Sequence, residues 1–186
     1  MSLGEDEVAE LFSALARGED DALEQIIPHI YDDLRRVARQ QLRRWRPGET
    51  LQTTALVHES FLRLNRLNAN RPVDRSHFLA VAARSMRHII VDYARERSAT
   101  KRGSGIAPVH LDDVQVADDQ HVETVLAINE ALERLSDIDP RLMRVVECRF
   151  FTGLTAAETA EALEVSRRTV DRDWIRARAW LEAELA

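Results

Sequence analysis

The sequence predicts an all-α protein made of two small helical domains joined by a flexible linker, and three observations carry that prediction. Residues that favour sheets and turns are scarce, with six Gly, five Pro, five Phe and two Tyr in 186 residues, against abundant Ala, Leu, Arg and Glu. Apolar residues recur at the three-to-four spacing of a single helix face, and no alternating, strand-like run interrupts them. Between residues 103 and 120 this periodicity lapses into Gly, Pro and Asp, the composition of a linker. The expected organisation is a first domain at residues 1–102, a linker at 103–120 and a second domain at 121–186.

Residues 5–16 give the first expected helix and residues 20–45 the second, with a stripe of Leu23, Ile26, Ile27, Ile30, Leu34, Val37, Ala38 and Leu42. Pro28 lies early in that stripe, where a missing N–H and a bulky ring kink or shorten a helix. Arg46-Pro47-Gly48 ends it. A third helix is expected between Thr50 and Leu67, with Leu56, Val57, Phe61, Leu64 and Leu67 at helical spacing, and Asn68-Ala69-Asn70-Arg71-Pro72 reads as a loop. Asp74 or Ser76 can cap the fourth, which carries Phe78, Leu79, Val81, Ala82, Met86, Ile89, Ile90 and Tyr93 and ends near Arg102. Four further helices follow at 122–135, 140–151, 154–163 and 166–184, with Asp139-Pro140 as N-cap and first-turn proline of the second of these.

The last two helices read as a helix-turn-helix. Leu154, Ala157, Ala160 and Leu163 give the first of them one buried face, Glu164 to Ser166 make the turn, and Val165 plugs the angle between the helices. Ser166 can accept a bond from the free N–H of Arg168 or Thr169 and so start the second helix. Arg167, Arg168 and Arg172 then project from its early turns, where a recognition helix meets base edges and phosphates of the major groove. Trp174, Ile175, Trp180 and Leu181 are expected to anchor this helix. Asp171 and Asp173 would repel phosphate there unless paired, and Arg167 and Arg176 are the expected partners.

Charge supports a nucleic-acid partner only when read locally. The whole chain carries −6, yet residues 1–34 hold −9, residues 35–102 hold +11, residues 103–140 hold −8 and residues 141–186 are neutral. A block of +11 is an electrostatic footprint for phosphate, because the local field governs contact and counterion release. The competing reading pairs that block with the acidic flanks of the same chain. A single cysteine, Cys148, excludes a disulfide framework and is expected to be a buried, reduced thiol. No charged-then-apolar leader opens the sequence, and no apolar run approaches the ~18 residues of a membrane span, so a cytoplasmic protein with no membrane contact is expected. His58-Glu59 begins an H-E-x-x-H pattern that Leu62 breaks, and His88 with Asp92 has no third ligand nearby. A local hydrogen bond between those two is the expectation, with no metal and no cofactor. Phosphate-loop and nucleophile-elbow motifs are absent, which leaves an enzyme without a chemical basis.

The joint pattern resembles an RNA polymerase sigma factor of the extracytoplasmic-function (ECF) group. Leu56-Val57-His58-Glu59-Ser60-Phe61-Leu62-Arg63-Leu64 is similar to the core-polymerase-binding helix of the sigma2 domain, with Ala55 and His58 at the family's acidic and glutamine positions. Phe78 to Arg84 and Ile89 to Arg95 resemble that domain's promoter-melting helix. Asp139 to Phe151, Gly153-Leu154-Thr155 and the hairpin that follows resemble sigma4.

The resemblance implies a non-enzymatic protein that binds core RNA polymerase and directs it to promoter DNA. An anti-sigma factor or another regulatory protein would be a further partner. Leu56, Val57, Glu59, Leu62 and Arg63 would bind the polymerase. Ser166, Arg167, Arg168, Thr169, Arg172 and Arg176 would read the minus-thirty-five element as duplex. Asn68, Asn70, Arg71, Arg75 and His77 would capture a base flipped from the minus-ten element, while Arg84, Arg87, His88 and Arg95 would track the separating strands. Two alternatives remain at this stage: a polymerase-independent helix-turn-helix regulator, and an interaction module whose arginines only solubilise it.

Overall fold

A computed structural model describes residues 5–19, 21–45, 51–65, 72, 74–103 and 119–186. Among them the structure is all helical: α1 (Glu5–Arg17), α2 (Ala22–Trp45), α3 (Thr53–Asn65), α4 (Arg75–Gly103), α5 (Asp119–Ile138), α6 (Pro140–Val146), a π-helical turn (Glu147–Thr152), α7 (Ala156–Ala162) and α8 (Arg167–Glu184). No helix of the described residues is long and apolar enough to cross a membrane. Arg46-Pro47-Gly48, and the linker apart from its end residues 103, 119 and 120, lie outside the described residues.

Local chemistry sets the boundaries. α1 stops where Gly18 takes a φ of 90°, a conformation that costs glycine little, and Glu19 N–H then bonds the Ala14 carbonyl at 3.1 Å. α2 runs through Pro28 as one element. Pro28 is exposed while Leu23, Ile26, Ile30, Leu34, Val37 and Ala38 are buried along the opposite stripe, so packing holds the helix together despite the lost N–H. Asp74 caps α4 by accepting the His77 N–H at 2.8 Å. Asp139 caps α6 ahead of Pro140, and Thr155 with Glu158 closes a reciprocal capping box on α7.

α4 is the axis of the molecule. On one side it packs against α2 and α3, where buried Gln41 of α2 donates to the Ala83 carbonyl at 2.8 Å and Phe12 of α1 meets the edge of Phe78 at 6.0 Å. On the other side it packs against α5, the π turn and α7. One apolar cluster therefore joins Ile26, Leu56, Met86 and Ile90 of the N-terminal half with Leu132, Leu135 and Phe151 of the C-terminal half. The two halves expected from sequence share a core in this structure instead of standing apart. A smaller cluster of Val145, Ala160 and Val170 sits under the helix-turn-helix.

Candidate nucleic-acid interface

Ser166 holds an extended backbone and accepts the Thr169 N–H at 3.1 Å, which starts α8 where the sequence places it. The turn before it includes Glu164 at a φ of 53°, a left-handed conformation uncommon for a side chain with a Cβ. Val165 is half-buried on the small cluster, as expected of a plug between helices. The buried face of the first hairpin helix follows the expected one except at Ala157. Leu154 and Ala160 are buried and Leu163 packs on the small cluster, while Ala157 is exposed and Thr159 is buried.

Along α8, Arg167, Arg168, Arg172 and Arg176 are exposed and Thr169 is half-buried. The two acids are paired. Asp171 lies 3.9 Å from both Arg167 and Arg149, while Asp173, fully buried, accepts from Arg141 at 2.6 Å and lies 3.3 Å from Arg172 and 3.7 Å from Arg176. Pairing with Arg167 and Arg176 follows the expectation. Arg141 carried no local signal, since it comes from the first turn of α6, thirty-two residues earlier. Trp174, Trp180 and Leu181 pack on the core, but Ile175 is 68% exposed. At about 100° per residue it faces away from buried Val170, Asp173 and Ala177.

On α3, Leu56 and Val57 are buried in the core, so they cannot touch a polymerase in this structure. A single helix must serve both its domain and a partner, and these two fall on the domain side. Glu59, Leu62 and Arg63 are exposed, Leu62 at 44%. Arg63 also donates to Asp92 of α4 at 2.8 Å.

The minus-ten candidates divide more sharply. Asn68, Asn70 and Arg71 lie outside the described residues. Arg75 is tied to Asp33 of α2, with Nε donating at 2.9 Å, and His77 is half-buried. His77 and Arg84 line a cleft of about 390 Å³ along the seam between α4, the π turn and α7. Arg84 and Arg95 are exposed, whereas Arg87 is buried beneath the C-terminal half. Its Nη1 donates to Asn129 at 2.8 Å, its Nη2 lies 3.4 Å from Glu147, and its guanidinium stands 5.9 Å from the centre of the Phe151 ring. Burial lowers the Arg87 pKa and raises that of Glu147, each opposed by the attraction of the other. As Arg stays charged in proteins, the contact is an ion pair.

His88 and Asp92 do not form the expected hydrogen bond. Asp92 is taken by Arg63 and lies 3.9 Å from Arg95, while His88 Nε2 stands 3.4 Å from Arg87. Burial, then the nearby cations Arg87 and Arg84, depress the His88 pKa from 6.5 to about 4. No group of three metal-ligating side chains occurs among the described residues. Cys148 is buried, and burial pushes its thiol up to about 12, which makes it inert as a nucleophile at neutral pH.

An all-helical chain with a capped helix-turn-helix and an exposed arginine row on its second helix is, by architecture, a helix-turn-helix protein. The family model described as ECF sigma factor matches residues 5–186, and the chain belongs to that family. Its role is therefore that of a sigma factor in transcription initiation. No curated protein matches the sequence. One similar solved structure is that of CnrH in complex with the cytosolic domain of CnrY, at 20% identity and a TM-score of 0.41, covering 95% of this chain and 96% of that one.

Proposed function

We propose that this sigma factor binds core RNA polymerase in the cytoplasm and directs it to promoters read at two elements, without catalytic chemistry of its own. The observation that carries this reading is the α8 surface: four exposed arginines on a helix whose N-terminus is fixed by Ser166 and whose acids are neutralised internally. Arg167, Arg168, Thr169 and Arg172 read the minus-thirty-five duplex, where one good arginine–guanine pair gives ~1–3 kcal/mol of discrimination. Arg176 follows along the backbone. Residues 1–102 and 121–186 act as separate modules on DNA, with 103–120 between them. Asn68, Asn70, Arg71, Arg75 and His77 take the flipped minus-ten base, and Arg84, Arg87, His88 and Arg95 follow the strands.

Glu59, Leu62 and Arg63 form the polymerase-facing side of α3, with Leu56 and Val57 supporting them from the core. The same reading admits an anti-sigma factor as a second partner. Run-off transcription with core polymerase over a randomised promoter library tests it, and the expected result is a two-part promoter consensus that Leu62→Asp abolishes. Tight operator binding by the chain alone with no transcript would point instead to a polymerase-independent regulator.

A further inference from the structure

We infer that Asp173 is a positioning residue of the DNA-reading helix: its buried carboxylate presets Arg172 and Arg176, and so exchanges general attraction for DNA for discrimination between sequences. This rests on the proposed role of α8 at the minus-thirty-five duplex. Asp173 shares the core-facing stripe of α8 with Val170 and Ala177 and has no solvent exposure. Each of its oxygens has a task. Oδ2 accepts from Arg141 Nε of α6 at 2.6 Å, while Oδ1 lies 3.3 Å from Arg172 Nε and 3.7 Å from Arg176 Nη1. Asp139, the N-cap of α6, lies 3.8 Å from the same Arg176 Nη1. Ion pairs therefore cross between the start of α6 and α8 in both directions, with an acid on each side.

Packing alone does not explain a carboxylate at this place. An apolar side chain would continue the stripe, and exchanging buried charged groups for well-packed apolar ones is often neutral or stabilising. What an apolar residue would lose is the hold on Arg172 and Arg176, whose side chains are 62% and 54% exposed. A free arginine gives up rotamer entropy when it docks, whereas one fixed beforehand has already given it up. Arg172 is held through Nε, which leaves its two Nη groups for a base edge or a phosphate. The same carboxylate sets a negative charge beneath the arginines and weakens their pull on any phosphate, whatever the sequence. Asp171 offers the contrast, being 53% exposed and reaching Arg167 and Arg149 only at 3.9 Å, too far for a hydrogen bond.

The test measures fluorescence anisotropy of the full-length chain on the duplex it selects from a randomised pool, and on the same duplex with its base pairs scrambled. Discrimination is the ratio of the two affinities. Asp173→Asn keeps the shape and removes the charge, and should cut that ratio about tenfold, the worth of one misplaced arginine–guanine pair. The scrambled duplex should meanwhile be bound more tightly, with a log–log salt slope steeper by about 0.9 for one further phosphate engaged. Asp171→Asn makes the same change of charge on the same helix, and should steepen the slope while keeping the ratio. Arg141→Gln leaves both acids of α8 in place but cuts the tether to α6. It should lower the ratio without steepening the slope, and it decides the matter if Asp173→Asn does not fold.

An unchanged ratio in Asp173→Asn of native helix content would overturn the inference, as would an unchanged ratio in Arg141→Gln where the first variant does not fold. An equal loss of ratio in Asp171→Asn would do the same, by showing that charge alone matters. So would a parallel fall in both affinities, the mark of a helix that has only come loose. A wild-type chain that selects no duplex from the pool sinks instead the proposed function on which the inference stands.

Discussion

At the residue scale, half-buried His88 and fully buried Asp173 make the clearest predictions. His88 is held neutral, with its pKa near 4, by burial and by Arg87 and Arg84, against the weaker pull of Asp92. A histidine with a lowered folded pKa contributes stability that is complete above its ordinary 6.5 and is lost as pH falls from there towards 4. Melting temperature should therefore drop across that window, and His88→Gln should flatten the drop. An imidazole titrating near 6.5 by NMR would refute the assignment. Asp173 is the second group. It gathers Arg141, Arg172 and Arg176 around one carboxylate of zero exposure. The arginines it would leave behind are partly solvated, so Asp173→Ala should cost about 1–3 kcal/mol in urea unfolding, below the full penalty of a stranded buried charge.

At the element scale, α8 has to be both a core helix and a reading head. Val170, Asp173 and Ala177 anchor one face, which leaves the arginines on the other with their backbone fixed. Arg168 is the simplest probe, being exposed and in no ion pair among the described residues. Arg168→Ala should weaken duplex binding at the minus-thirty-five element by ~1–3 kcal/mol if it reads a base, or lower the salt slope by about 1 across all sequences if it holds a phosphate. Fluorescence anisotropy at several salt concentrations separates these outcomes, and no change in either would remove Arg168 from the interface. α3 divides in the same way, with Leu56 and Val57 inward and Leu62 outward. An exposed leucine beside Glu59 and Arg63 is a better docking candidate than the buried pair that the motif also contains.

At the scale of the whole molecule, the two halves are bound by a common core. Leu132, Leu135 and Phe151 belong to the same cluster as Met86 and Ile90, so melting one half strips apolar cover from the other. Calorimetry of the free chain should give one transition whose calorimetric and van't Hoff enthalpies agree. Two resolved transitions would mean that the halves fold independently. The shared core also changes what α4 can do, since Arg87, expected to face DNA, lies here in an internal seam while Arg84 and Arg95 stay exposed.

Helix content, most of the caps and the helix-turn-helix were legible in the sequence, because each depends on neighbours within a few residues. Ser166 and Asp139 cap through backbone N–H groups two or three positions away, and a stripe such as Leu23 to Leu42 repeats at the pitch of the helix itself. The Thr155-x-x-Glu158 box was equally local and marks the start of α7 at Ala156. Other features rest on contacts between distant segments. Arg141 meets Asp173, Arg87 meets Asn129 and Glu147, and Gln40 meets the carbonyl of Phe150 across 110 residues of chain. By itself the sequence determined which residues are helical and which side chains carry the chemistry. Only the tertiary structure decided which charges face solvent and which face one another, because burial and ion pairing depend on what else occupies the space.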